Sequence, residues 1–131
     1  MNETCTAVIH GAPVTKKNSA RILRNPKTGI PFIAPSAKYK QYEKEALAQL
    51  RRPTAPIRTA CNVKCVYYMP TRRRVDLANL LEATMDILVR AGLLEDDNSG
   101  VAAMHDGSCV HLDRAQPRVE ITITPLEGSE P

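Results

Sequence analysis

Between Asp76 and Arg90 the chain reads DLANLLEATMDILVR. On a helix at about 100° per residue, Leu77, Leu80, Leu81, Thr84, Met85, Ile87 and Leu88 fill one arc. Asp76, Asn79, Glu82, Asp86 and Arg90 fall on the other. Three carboxylates and one amide therefore share a stripe. Asp76 stands at the helix start, where the dipole favours a carboxylate and exposed amides need a cap. Taken alone, such a stripe is also what a solvated helix face looks like. Two flanking features add chemistry. Arg72-Arg73-Arg74 precedes the helix, where it could hold a phosphate backbone. Asp96-Asp97 follows it, so a short loop could return more acid to the same region. Magnesium takes oxygen ligands, usually one or two carboxylates with waters and phosphate oxygens. Acids beside a basic clamp suit metal-assisted phosphodiester cleavage. There the metal activates water and stabilises the departing oxygen, while arginines position the strand.

The charge distribution supports a polyanionic partner. Residues 1–74 hold 15 Lys/Arg against 3 Asp/Glu, a net of +12. Residues 75–131 hold 3 against 11, a net of −8, so the overall +4 conceals a basic part and an acidic part. Mixing of the two in space is the plain alternative. The loop Lys16-Lys17-Asn18-Ser19 is a candidate phosphate contact or a solvated turn. Tyr67 and Tyr68 are candidates for base stacking, although a central strand would put one of them in the core. Phe32, the only phenylalanine, is expected in the core under the hairpin. Asp106 precedes Gly107 and reads as a turn residue. The cysteines (Cys5, Cys61, Cys65, Cys109) lack zinc spacing and read as buried free thiols.

The elements that must position these residues are legible in outline. Thr4 to His10 reads as a strand. Arg21–Arg24 and Ile30–Ala34 flank Asn25-Pro26-Lys27-Thr28-Gly29 as a hairpin. Ser36 is a plausible N-cap for a helix whose apolar face is Tyr39, Tyr42, Ala46, Leu47 and Leu50. Lys38, Lys40 and Lys44 lie off that face. Cys61–Met69 is the strongest strand signal. The second helix runs from about Asp76 to Ala91, with Gly92 as its stop. Val101–Met104 and Arg118–Thr124 close the fold as strands, with turns between them. The expected class is α+β (mixed α/β), a single mixed sheet with two main helices packed on it.

The run from Met69 to Asp97 resembles the RusA-type Holliday junction resolvases. The shared pattern is a proline and arginine run, Asp76 with Asn79-Leu80, Asp86 ten residues on, Ala91-Gly92 and Asp96-Asp97. Weaker echoes are the early strand and proline turn with Asn18, the helix start at Ser36–Tyr42 and the closing strand. The resemblance implies a single RusA-like endonuclease domain over residues 1–131. It implies a magnesium-dependent homodimer that cuts four-way DNA junctions symmetrically in recombination and repair, often of prophage origin. Mn²⁺ is the alternative metal. Carried over by position, the family's first catalytic aspartate falls on Asp76 and its last on Asp97. Its second falls on Ala78, which cannot bind a metal, and its lysine falls on Glu82. In one account Glu82 replaces the lost carboxylate from one turn away. In the other the metal site is degraded, and the protein binds branched DNA with weak or no cleavage. Retained activity is the favoured expectation. The expected catalytic residues are Asp76, Glu82 and Asp97. The expected metal ligands are Asp76, Glu82, Asp97, Asp96 and Asp86, and the expected DNA contacts are Lys16, Lys17, Asn18, Arg72, Arg73, Arg74 and Asn79. For Phe32, insertion at a junction crossover is the alternative to the core.

The bulk properties agree with this. A chain of 131 residues and 14.4 kDa makes one domain and needs no disulfides to fold. With 43% hydrophobic and 24% charged residues it is neither disordered nor fibrous. No apolar run reaches membrane-spanning length, so no membrane partner is expected. The start, Met-Asn-Glu-Thr-Cys, shows no secretory leader, and a cytoplasmic location is expected.

Overall fold

A computed structural model describes residues 4–16, 21–34 and 36–126. The elements are β1 (Cys5–His10), β2 (Arg21–Arg24), β3 (Pro31–Ala34), α1 (Ala37–Gln49) and β4 (Cys61–Met69). Then come α2 (Leu77–Arg90), β5 (Ala102–Met104), β6 (Cys109–Leu112) and β7 (Arg118–Pro125). This is the expected α+β class, with a five-stranded mixed sheet and two helices. β2 and β3 form a separate hairpin, closed at Asn25, whose Oδ1 accepts from the Lys27 amide at 2.8 Å.

β4 is the hub of the sheet. β7 runs antiparallel along it, from Cys61 opposite Pro125 to Tyr68 opposite Arg118. β1 lies antiparallel on the far side of β7. The other edge of β4 is shared by two short parallel strands, β5 at its start and β6 at its end. Between these two, side chains complete the ladder. Ser108 Oγ accepts from the Cys65 amide at 3.0 Å, and His105 Nδ1 lies 2.9 Å from the Val63 carbonyl oxygen.

The strand alternation puts Cys61, Val63, Cys65 and Tyr67 on one buried face of β4, with Val119, Ile121 and Ile123 beside them on β7. The helices cover that face. α1 contributes Tyr42 and Ala46, and α2 contributes Leu80, Met85, Ile87 and Leu88. Burying each large aliphatic side chain is worth roughly 1.5–3 kcal/mol, which is why the helices dock by these stripes. A buried hydrogen bond also joins the layers, as the Tyr67 hydroxyl lies 2.7 Å from Thr84 Oγ1.

Both helices begin as their sequences require. Ser36 Oγ accepts from the Tyr39 amide at 3.1 Å and caps α1. Asp76 Oδ1 accepts from the amides of Ala78 at 2.8 Å and Asn79 at 3.3 Å and caps α2. α2 ends at Gly92, whose φ of +78° suits a residue without a Cβ.

Two expectations need correction. Phe32 is not in the core. It is 47% exposed, on a hairpin where Ile22 (75%) and Ile33 (77%) are more exposed still. The hairpin stands apart from the main sheet, so its apolar side chains have no layer to enter. β6 falls in a stretch expected to hold only turns. Its pairing with β4 makes it a strand, while its side chains are mostly exposed. The cysteines are all free; Cys61 and Cys65 are buried, and Cys5 and Cys109 are half-buried.

Candidate functional site

α2 carries the polar stripe on the side turned from its core contacts. Leu80, Ala83, Thr84, Met85, Ile87 and Leu88 are buried, whereas Asp76 and Glu82 are exposed and Asp86 is half-buried. Ala78, Glu82 and Asp86 follow one another at four-residue steps along one side. Asp76 lies at the other end from Asp86. Ten residues at 1.5 Å of rise put them about 15 Å apart along the axis.

Asp86 meets Lys16 and Asp97. The Lys16 ammonium lies 2.7 Å from Asp86 Oδ2, and it also sits 5.8 Å above the Tyr39 ring. Asp86, Asp97, Lys16, Lys40, Glu43 and Arg90 border one cavity of about 730 Å³. Arg90 Nη1 reaches Glu43 Oε1 at 3.3 Å across it. The Tyr39 hydroxyl is pushed up by burial and further by the charges of Glu43 and Asp86, so it stays protonated. It donates to Glu43 Oε2 at 3.4 Å.

Asp96 and Asp97 are electrostatically unequal. Asp96 Oδ1 accepts from the Asp97 amide at 2.7 Å, and this bond first of all holds the Asp96 carboxyl below its ordinary range. The Asp97 carboxyl is raised, chiefly by its hydrogen bond to the Asp96 side chain. Desolvation and the charges of Asp96 and Asp86 act in the same direction. Three carboxylates therefore crowd one end of α2, partly neutralised by Lys16.

A second concavity, of about 430 Å³, adjoins the β4–α2 connection and is bordered by Arg73, Arg74 and Lys38. The loop before Lys16 supplies another wall through Pro13, Val14 and Thr15. Arg72, Arg73 and Arg74 are exposed, as phosphate contacts must be, and Asn79 is half-buried.

The expected site residues thus fall into groups. Asp86 and Asp97 share a cavity with Lys16, and Asp96 flanks Asp97. Glu82 is one helical turn from Asp86. Asp76 caps the opposite end of α2 and does not border that cavity. Among the described residues, no three His, Cys, Asp or Glu side chains form a ready-made metal cage. Lys17 and Asn18 lie outside the described residues. Lys38, Lys40 and Glu43 were not picked out by sequence. A usable signal was present for the lysines, since two cations in the first turn of a helix oppose its dipole.

An α+β domain with acidic side chains beside an arginine-bordered groove is the class that the fold and site define. The family described as Endodeoxyribonuclease RusA matches residues 10–124. The chain belongs to this endodeoxyribonuclease family. No curated protein gives a match to it. No helix among the described residues is long and apolar enough to cross a membrane.

Proposed function

We propose that the protein is a magnesium-dependent, structure-specific endonuclease that resolves four-way DNA junctions by symmetric phosphodiester cleavage. The observation that carries this reading is the cavity where Asp86 and Asp97 face Lys16, Lys40 and Arg90. It joins hard oxygen donors to cationic side chains suited to a phosphate.

The donor set fits a magnesium or manganese ion. It is all carboxylate, and Lys16, which holds Asp86 Oδ2 at 2.7 Å, would have to give up that oxygen to the ion and turn to a phosphate. Two carboxylates suffice, because magnesium usually completes its shell with water and phosphate oxygens. In this reading Asp86 and Asp97 hold the ion, Asp96 supports Asp97, and Glu82 stands one turn away in place of the carboxylate missing at Ala78. A bound ion would supply Lewis acidity and an activated water. Lys16 and Lys40 neutralise the attacked phosphate, and Arg72–Arg74 hold the strand. Asp76, about 15 Å along α2 from Asp86, is the family's first aspartate by position and caps the helix that carries the other acids.

Two equal cuts across a two-fold junction need two sites related by the same axis, so the reading includes a C2 homodimer. The decisive experiment is cleavage of a synthetic four-way junction, a flap and a plain duplex with and without Mg²⁺. Cutting of the junction alone, with Asp97→Asn and Asp86→Asn inactive but still binding, supports the reading. Tight junction binding with no cleavage in Mg²⁺ or Mn²⁺ replaces it with a branched-DNA-binding protein whose metal site has decayed at Ala78. Normal cutting by Asp97→Asn removes the ligand assignment.

A further inference from the structure

We propose that Lys38 and Lys40, on opposite sides of the first turn of α1, form a phosphate track leading one DNA strand from the Arg73–Arg74 groove to the Asp86–Asp97 cavity. The inference rests on the nuclease reading and extends it by naming the strand's path and the two lysines that contact its phosphates along the way.

The geometry has three parts. Lys38 borders the arginine groove and Lys40 the acidic cavity. Residues two apart on a helix are turned about 200° from one another, so the two side chains leave α1 on opposite sides. The loop that walls the groove at Thr15 reaches the cavity with the next residue, Lys16. Groove and cavity therefore share a continuous border across one turn of helix and one short loop.

The scale suits a nucleic-acid strand. A helix with its side chains is about 10–12 Å across. One strand of duplex DNA rises about 3.4 Å per phosphate, so the crossing takes about three phosphates. The arginines would grip the strand on one side of α1 and Lys40 with Lys16 would receive it on the other.

The lysines have no structural employment that competes with this role. Both are exposed, and among the described residues neither has a carboxylate within ion-pair distance. The first turn of α1 carries no acid to offset them. Their position opposes the helix dipole, so α1 itself gains nothing from their charge. Removing that charge should leave the fold intact.

The test is binding of a fluorescent four-way junction in EDTA, titrated from about 50 to 200 mM salt. The variants are Lys38→Gln, Lys40→Gln and the double substitution. Lys44→Gln, exposed on α1 but bordering neither concavity, is the control. Each track variant should lower the slope of log K against log salt by about 0.9, and the double by about 1.8. Lys44→Gln should follow the wild type, Lys→Arg at both track positions should restore the slope, and Tm should hold or rise throughout. A wild-type slope in the double variant overturns the track while junction cleavage by the wild type leaves the nuclease reading standing. Wild-type protein that binds no DNA ends both.

Discussion

The hydrogen bond between Tyr67 and Thr84 allows a quantitative test of how α2 is held to the sheet. Thr84 Oγ1 donates to the Leu80 carbonyl at 3.0 Å, which leaves Tyr67 as the donor in the 2.7 Å bond between the two hydroxyls. Both residues are buried, and the Tyr67 hydroxyl is pushed well up, chiefly by burial. Tyr67→Phe removes a donor and leaves Thr84 still bonded to Leu80, so it should cost about 1 kcal/mol. Thr84→Val leaves a buried phenol hydroxyl without its main acceptor, with only the weakly accepting Cys65 sulfur beside it. It should cost more, about 2–3 kcal/mol. The double variant leaves no orphaned hydroxyl, so its cost should fall short of the sum by about 1–2 kcal/mol. For a chain of this length about 1 kcal/mol corresponds to roughly 4 °C in Tm. Urea unfolding with an unchanged m-value is the assay. If Thr84→Val costs no more than Tyr67→Phe, or if the two costs simply add, the hydroxyl pair is not what joins α2 to β4.

Two further outcomes follow from local geometry. Asp113 is held below its ordinary range, first by the Gln116 amide and then by Arg118, whose Nη1 lies 2.9 Å from Asp113 Oδ2. Its contribution to stability is present above the unfolded carboxylate pKa and is lost as pH falls through the lower folded value. Asp113→Asn lacks that contribution, so its Tm deficit should be widest near neutral pH and close on acidification; a deficit constant with pH refutes a charge effect. Gly92→Ala places a Cβ at φ +78°, 3.2 Å from the movable Arg52 side chain. The backbone strain should cost about 1–2 kcal/mol in urea unfolding, and an unchanged midpoint would show that the turn relaxes.

Much of the fold could be read from local pattern. Cys61–Met69 reads as a strand by its β-branched and aromatic content, with Cys61, Val63, Cys65 and Tyr67 buried at alternate positions, and α2 separates its apolar and polar residues by face. Ser36, Asp76 and Gly92 mark helix ends by chemistry that depends only on near neighbours. What escaped was set by distant partners. β6 shows no alternation because its pairing is main chain to main chain with β4, some forty residues away. Phe32 is apolar, but nothing in its neighbours reveals that the hairpin stands off the sheet. The candidate site divides in the same way. The carboxylates of α2 are evident from helical spacing, whereas the meeting of Asp86 with Lys16 spans seventy positions of chain. Lys38 and Lys40 stood out only as residues off an apolar face, although their place in the first turn of α1, against the dipole, was a signal to be read.

The central strand owes one of its amide partners to a hydroxyl in a tight turn. Ser108 stands where a continuous neighbour would otherwise run, and Asn62 fastens the same turn by exchanging two hydrogen bonds with the Asp106 backbone. Opening that turn would bare the Cys65 amide to water while the β7 side of the strand stayed closed. Deuterium uptake at this interior position is therefore governed by the durability of a few surface residues, and a deeply placed amide can exchange ahead of its neighbours without the domain unfolding.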